Sequence, residues 1–101
     1  MILGRRFAKV IDAQLDLFER DHARLIADCE RAEAAYDDAE RDEAEERYGD
    51  YMDLVEEGTE LLAELRDNYA ATLDVPTAER YAAAFNRAVR RRLPRLALEL
   101  E

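Results

Sequence analysis

Hydrophobic residues recur along the first half of the chain at alternating spacings of three and four residues. The members of this first stripe are Ala8, Ile11, Leu15, Phe18, His22, Leu25, Cys29, Ala32, Tyr36 and Ala39. Side chains with this spacing share one face of an α-helix. No proline, which would break a helix, occurs before Pro76. The pattern therefore predicts a first helix over about residues 3–46.

A second stripe has the same spacing but a different phase. Its members are Tyr48, Tyr51, Val55, Gly58, Leu62, Leu65, Tyr69 and Thr72. It predicts a second helix over about residues 50–73. If the first stripe continued unchanged, nine of its next ten positions between Glu43 and Asp74 would be acidic. Burying unpaired carboxylates is very costly, so the buried face must change between the two helices.

Two structures explain this change of phase. The chain can turn back near residues 48–50, where Gly49 is a weak helix former, so that the two stripes face each other. Alternatively, one long helix continues and its two halves use different faces against different partners. We favour the turn, because a hairpin covers both stripes within one chain. Its tip, residues 37–57, would carry eleven acidic residues and two arginines.

The boundary before a third helix is marked by the segment from Asp74 to Thr77. Pro76 disfavours helical backbone at the preceding residue and suits the first turn of a helix. Asp74 or Thr77 can cap that helix. An apolar face then predicts a helix over about residues 76–92. That face comprises Tyr81, Phe85, Ala88, Val89 and Leu93.

Pro94 ends the third helix and begins a leucine-rich tail, residues 94–101. A short strand, a last helical turn and a flexible docking peptide are all compatible with its alternating pattern.

The sequence thus predicts an all-α fold, in which a long antiparallel helical hairpin and a shorter third helix form a single domain over residues 1–101. The composition agrees, because 40% of the residues are charged and only three glycines and two prolines occur. An elongated chain of 101 residues buries few side chains deeply. We therefore expect a coiled-coil-like homodimer that completes a helical bundle, or a helical protein partner.

Charge is divided unevenly along the chain. Residues 1–10 carry three bases and no acids, residues 11–76 carry six bases and 22 acids, and residues 77–101 carry six bases and three acids. The densest basic cluster comprises Arg87, Arg90, Arg91, Arg92 and Arg95. Such a cluster can contact nucleic-acid phosphate or an anionic membrane surface. The net charge of −10 disfavours nucleic acid, so we interpret these arginines as neutralising acids of the hairpin or of a partner chain.

The cellular location is predicted from what the sequence lacks. The single cysteine, Cys29, excludes an intrachain disulfide. No apolar run approaches the roughly 18 residues of a membrane span, and no long apolar segment follows the basic start. We therefore expect a cytoplasmic protein with no membrane span. Because Asp28 and Glu30 flank Cys29 and disfavour a thiolate, we expect a buried core thiol and not a nucleophile.

Glu19 and His22 form a Glu-x-x-His pattern, which on a helix places both side chains on one face. Di-iron carboxylate bundles present their ligands in this way, and the chain resembles them at these two positions. The interpretation we favour is structural, with His22 bonded to a tyrosine such as Tyr69 and Glu19 in solvent. The second stripe offers no inward carboxylate as a further ligand. We expect no cofactor, and a metal ion only if a dimer assembles the site.

The predicted function is that of a non-enzymatic helical interaction or assembly protein, an adaptor or small regulator acting through its C-terminal helix and tail. The expected contact surface is apolar and exceeds what one short helix needs for its own packing. It comprises Tyr81, Phe85, Val89, Leu93, Leu96 and Leu98.

Two alternative functions remain open at this point. The first is a metal-binding carboxylate and histidine bundle built from Glu19 and His22. The second is an acidic antagonist of a nucleic-acid-binding protein, in which the carboxylates of the tip mimic phosphate. No set of residues typical of an enzyme's nucleophile and base accompanies any of these interpretations.

Overall fold

The described residues of the computed structural model are 6–97 and Leu100, and they form helices without any strand. The all-α prediction is therefore confirmed. No helix within these residues is long and apolar enough to cross a membrane. The elements are α1 (Ala8–Asp21), α2 (Ala23–Asp37), α3 (Ala44–Ala70), α4 (Val75–Arg92) and a 3₁₀ helix (Pro94–Ala97).

The predicted first helix over residues 3–46 is divided at His22 in the structure. The backbone of His22 has φ −117° and ψ 27°, outside the helical region, although its N–H still donates to the carbonyl of Phe18. The imidazole lies against the Phe18 ring, with the ring centroids 4.7 Å apart. The hydrophobic spacing continues across this residue, so the pattern itself carries no signal of the break.

The chain turns at residues 38–43, earlier than the predicted turn near residues 48–50. Gly49 lies inside α3, and a Cβ atom added there would meet nothing within 4 Å. The observed turn is closed by short-range backbone bonds, from Ala39 N–H to the Tyr36 carbonyl and from Glu43 N–H to the Glu40 carbonyl. Aspartates are frequent here, and their side chains compete with helical backbone bonds. The chain thus leaves the helix before the acidic continuation of the first stripe begins.

Contacts between α2 and α3 beyond this turn run in antiparallel order. The rings of Tyr36 and Tyr48 have centroids 5.3 Å apart. Further from the turn, the Tyr51 hydroxyl donates to Glu33 at 3.0 Å. Residues earlier in α2 therefore contact residues later in α3, so the two helices are antiparallel and their apolar stripes face each other.

The core lies at the opposite end of the molecule, where α4 packs beside α1 and α3. Tyr81 is fully buried, and its ring contacts Phe7, Tyr69 and Phe85 at centroid distances of 4.8–5.9 Å. Its hydroxyl donates to Gln14 at 2.8 Å, which satisfies the buried polar atom. Burial raises the pKa of Tyr81 to about 12, so the phenol stays neutral under ordinary conditions.

Helix α4 begins where the sequence signals it, and Asp74 is its cap. The Thr77 backbone N–H donates to one Asp74 carboxylate oxygen at 3.3 Å, and the Thr77 hydroxyl donates to the other at 2.7 Å. Pro76 occupies the first turn, where its missing N–H costs nothing. From this capped start, α4 runs back alongside α3.

The molecule is elongated, with extents of 50 × 23 × 22 Å, and its thickness changes along its length. The half that we call the base contains three helices, α1, α4 and the second half of α3. Thr59 in α3 lies beside Leu96 of the 3₁₀ helix. Among the described residues, the tip, which lies beyond Thr59 toward the turn at residues 38–43, is built from α2 and α3.

Candidate functional site

The apolar surface predicted for partner contact lies inside the protein's own core. Tyr81, Phe85 and Val89 are fully buried, Leu96 is 2% exposed and Leu93 is half-buried. The correction has a physical cause: α1 and α3 together supply enough apolar partners to cover this face of α4. Leu98 lies outside the described residues. The buried face of α4 is therefore not free for a partner.

Two arginines of the predicted basic cluster are neutralised within the chain. The Arg92 guanidinium lies 2.7 Å from the Asp16 carboxylate and 3.0 Å from Glu19. Arg95 lies 2.8 Å from Glu33. The hydrogen bond from Arg95, followed by that from Tyr51, lowers the pKa of Glu33. These pairs tie the end of α4 and the 3₁₀ helix to α1 and α2.

The other three arginines of the cluster, Arg87, Arg90 and Arg91, are exposed on the outer face of α4. Within residues 6–97, no acidic side chain forms an ion pair with any of them. Arg87 and Arg91 line a groove of about 270 Å³ between α1 and α4, which we call the arginine groove. Its remaining lining is mostly small and apolar: Ala8, Ile11, Ala84 and Ala88, with Asp12. The groove thus combines an apolar floor with two guanidinium groups that form no ion pair with any described residue.

The tip presents the opposite charge. All eleven of its acidic side chains are exposed, and the ion pair described there joins Arg47 to Glu43 at 3.9 Å. Two aromatic side chains stand among the carboxylates, Tyr36 at 38% exposure and Tyr48 at 48%. Tyrosine is enriched at protein interfaces and acidic residues are depleted there, so the two rings are the part of the tip that resembles a contact surface.

The 3₁₀ helix docks on α3 through a glycine and a threonine. A Cβ atom on Gly58 would lie 2.7 Å from the Leu96 side chain, so the close approach depends on glycine. The Thr59 hydroxyl lies 2.8 Å from the carbonyls of both Val55 and Leu96. Since a hydroxyl carries one proton, it shares that proton between the two acceptors.

Cys29 lies beneath this docked segment and is 2% exposed. Cys29 lines a cleft of about 100 Å³ together with Leu96 and Arg95. Burial raises the pKa of the thiol, an effect only partly opposed by the positive charge of Arg95. The thiol is therefore protonated and poorly nucleophilic, as a structural cysteine is.

The residues predicted as metal ligands are used for other contacts. Glu19 is paired with Arg92, and His22 stacks on Phe18 at the break between α1 and α2. No hydrogen bond joins His22 to Tyr69, whose ring contacts Tyr81 instead. Among the described residues, no group of three or more His, Cys, Asp or Glu side chains is placed to hold a metal ion.

A second, more apolar cleft lies on another side of the base, between α1 and α3. Leu17 is 49% exposed at its edge. The cleft has a volume of about 230 Å³, and Leu61 and Leu65 contribute to its lining. Asp21 and His22 also line this cleft, but no arginine among the described residues does.

Comparison of the chain with protein-family models, with curated proteins and with solved structures finds no match. The function must therefore be argued from the side chains themselves.

The arginine groove was not apparent from the sequence, although its components were visible. The sequence places Ala84 and Ala88 four residues apart, and Arg87 and Arg91 likewise. Residues four apart share a face of a helix, so this register predicts an alanine row beside an arginine row. What the sequence did not reveal is that α1 adds Ala8 and Ile11 to the same groove.

Proposed function

We propose that this chain is a non-enzymatic helical interaction or assembly protein that binds an acidic protein surface through its arginine groove. The observation that carries the proposal is the division of the arginine cluster. Arg92 and Arg95 are neutralised within the chain, whereas Arg87, Arg90 and Arg91 are exposed beside an apolar floor. In this proposal α4 is still the helix that contacts the partner, but the contact lies on its outer face and not on its buried face.

A protein partner fits this site better than a nucleic acid does. Arginine is enriched at protein interfaces, where its planar group pairs with carboxylates and stacks on aromatic rings. The apolar floor offers a place for an uncharged anchor side chain. Three arginines on a chain of net charge −10 give a small electrostatic footprint for a phosphate backbone.

The scaffold that we propose is an antiparallel hairpin of α1–α2 against α3, completed by α4 as the third helix. We further infer that it acts in the cytoplasm, as a coiled-coil-like homodimer or with a helical partner. The single buried thiol suits a reducing compartment, and the two-helix tip leaves much of its surface uncovered.

The test is a titration of the protein into a fluorescently labelled, glutamate-rich helical peptide with one tyrosine, followed by anisotropy. The double variant Arg87→Glu with Arg91→Glu should bind at least about tenfold more weakly, corresponding to about 1.4 kcal/mol. Arg24→Glu with Arg31→Glu makes the same change in net charge on α2 and serves as the matched control. A labelled DNA duplex is titrated in parallel.

Equal weakening by both double variants would mean that overall charge, and not the groove, determines binding. Tighter binding of the duplex than of the peptide would also contradict the proposal. Loss of peptide binding in Leu17→Asp, with the groove variants unchanged, would transfer the site to the cleft between α1 and α3.

The acidic-antagonist function remains a second proposal, because all eleven carboxylates of the tip are exposed. Neutralising the acids from Asp37 to Glu46 should abolish capture of a basic nucleic-acid-binding protein if this function is right, and leave it unchanged otherwise. The metal-binding alternative has less support, because Glu19 is occupied by Arg92. Elemental analysis of protein purified without chelator, compared with His22→Ala, tests that alternative directly.

A further inference from the structure

The difference in thickness between base and tip leaves a step on one side of the molecule. The 3₁₀ helix ends beside Gly58 and Thr59, and among the described residues no third helix lies beside α3 from there toward the tip. Arg95, bonded to Glu33, marks where the C-terminal segment meets α2. The step is thus an open shelf whose floor is made by α2 and α3.

The two exposed tyrosines of the tip stand on this shelf. Tyr48 precedes Thr59 by eleven residues in one helix, which is about three turns, so both side chains leave α3 on the same side. Thr59 points at the 3₁₀ helix. Tyr36 contacts Tyr48 and lies one turn beyond Glu33, the residue that holds Arg95. Both rings therefore project where a third helix would lie if it continued.

Tyr48 and Arg66 lie equally far on either side of the middle of α3. Glu57 is the central residue of α3, and Tyr48 lies nine residues before it. Arg66 lies nine residues after it and donates to Asn86, the neighbour of Arg87 in α4. At ~1.5 Å per residue, the tyrosines and the arginine groove are each about 13 Å from the middle. A twofold axis that is perpendicular to α3, level with Glu57 and outside the chain exchanges the two positions.

We propose that two copies of this chain associate side by side in antiparallel orientation, each placing the Tyr36–Tyr48 shelf of its tip against the arginine groove of the other. This proposal rests on the proposed function, because it names the acidic surface that the groove binds. In this arrangement α4, the helix that the base has and the tip lacks, fills the step of the other copy. The carboxylates around Tyr48 then face Arg87, Arg90 and Arg91.

The occupant is a second copy and not an unrelated acidic helix because two features complement each other within one chain. The groove offers an apolar floor between guanidinium groups, and the shelf offers aromatic rings between carboxylates. Tyrosine and arginine are the residues that most often dominate binding energy at interfaces. Because the proposed arrangement is twofold symmetric, both contacts form at once, so the assembly closes as a dimer and does not grow into a chain.

The first experiment measures mass by analytical ultracentrifugation at low and high salt, about 0.05 M and 0.5 M. The expected species is a dimer whose dissociation constant rises at least about tenfold at high salt, because charge pairs at its edges are screened. A monomer at both salt concentrations, at protein concentrations up to about 0.1 mM, would overturn the proposal, as would masses above that of a dimer. Retained glutamate-peptide binding by such a monomer would leave the proposed function standing.

The second experiment uses charge reversal on each surface. The groove variant carries Arg87→Glu, Arg90→Glu and Arg91→Glu, and the tip variant carries Glu45→Lys, Glu46→Lys and Asp50→Lys. Each variant alone should be monomeric, with a dissociation constant weakened at least a hundredfold, since like charges then face each other. Mixed in equal amounts, they should form a heterodimer, because both contacts regain opposite charges. Far-ultraviolet circular dichroism confirms that each variant is folded.

The matched control is the triple variant Arg20→Glu, Arg24→Glu and Arg31→Glu, which changes the net charge by the same amount away from the groove. It should dimerise as the unaltered chain does. Failure of the two reversed variants to recombine, while the unaltered chain dimerises, would show that the dimer uses another surface and overturn the proposal. Loss of dimerisation in Leu17→Asp alone would identify that surface as the cleft between α1 and α3.

Discussion

At the scale of single residues, the two glycines of α3 show how surroundings determine the effect of one substitution. Replacing glycine by alanine inside a helix gains about 1 kcal/mol from backbone propensity. At Gly49 the added Cβ meets nothing within 4 Å, so Gly49→Ala should raise the free energy of unfolding by about that amount. At Gly58 the same atom would lie 2.7 Å from buried Leu96, and overpacking costs about 1–3 kcal/mol. Gly58→Ala should therefore destabilise the protein, as measured by urea denaturation.

The control for this comparison is Leu96→Ala. Leu96→Ala removes the side-chain atoms that a Cβ at Gly58 would meet. In that background, adding Gly58→Ala should stabilise the protein as Gly49→Ala does. If Gly58→Ala stabilises the protein even with Leu96 present, the 3₁₀ helix does not pack against α3 as described.

The helix cap at Asp74 gives a pH-dependent prediction. Hydrogen bonds from the Thr77 hydroxyl and N–H hold the pKa of Asp74 below its usual range of about 4. Because the pKa is lower in the folded state, the ionised carboxylate stabilises the fold at pH values above the pKa of the unfolded state. This stabilisation is lost as the pH falls through the pKa of the folded state. Asp74→Ala should therefore lower Tm at pH 7 and lower it progressively less below pH ~4. Thr77→Val should remove part of the same effect, and a Tm difference independent of pH would exclude the carboxylate as its source.

At the scale of elements, the sequence predicted α4 closely and the turn poorly, for identifiable reasons. The start of α4 has strong local signals in Asp74 and Pro76, whose effects on backbone geometry do not depend on the rest of the fold. The turn at residues 38–43 combines two aspartates with good helix formers, so its local signal is weak and the loss of the apolar stripe is the clearer mark. Gly49 was a misleading signal, because a solvent-facing glycine is tolerated within a long helix.

The candidate surface was the least predictable element. The sequence predicts the apolar residues of α4 as a contact face for a partner, but sequence alone could not say whether the contact was within the chain. That depends on whether α1 and α3 reach Tyr81 and Phe85, which is a question of long-range packing. The split of the arginine cluster likewise depends on Asp16 and Glu33, which lie far away in sequence.

The 3₁₀ helix acts as a cover over Cys29, which makes the thiol a reporter of its docking. Leu96→Ala removes a buried side chain and should cost about 2–5 kcal/mol. It should also speed labelling of Cys29 by a maleimide at pH 7, because the segment undocks more often. Arg95→Gln, which breaks the pair with Glu33, should have a smaller effect in the same direction. Unchanged labelling rates in both variants would show that Cys29 is reached only by global unfolding.

At the scale of the whole molecule, the taper from three helices to two predicts a gradient of local stability. The base holds Tyr81, Phe85 and Leu15 without exposure, whereas the outer part of the tip holds small and charged residues. Backbone amides of α4 should therefore exchange with deuterium only on global unfolding, and those of residues 37–47 much faster. The comparison is best made on the monomeric groove variant, since a bound second copy would protect the tip. Uniform protection would contradict the gradient.

The same taper determines the order in which contacts can form during folding. The Tyr51–Glu33 bond closes a loop of 18 residues, whereas the Tyr81–Gln14 bond closes one of 67. The short loop loses less entropy but gains little apolar burial, and the long loop loses more but forms the core. Fast early pairing of α2 with α3 thus leaves most of the stability to a later step, the arrival of α4. That step should limit the refolding rate, so substitutions at Phe85 should slow refolding and substitutions at Tyr36 should not.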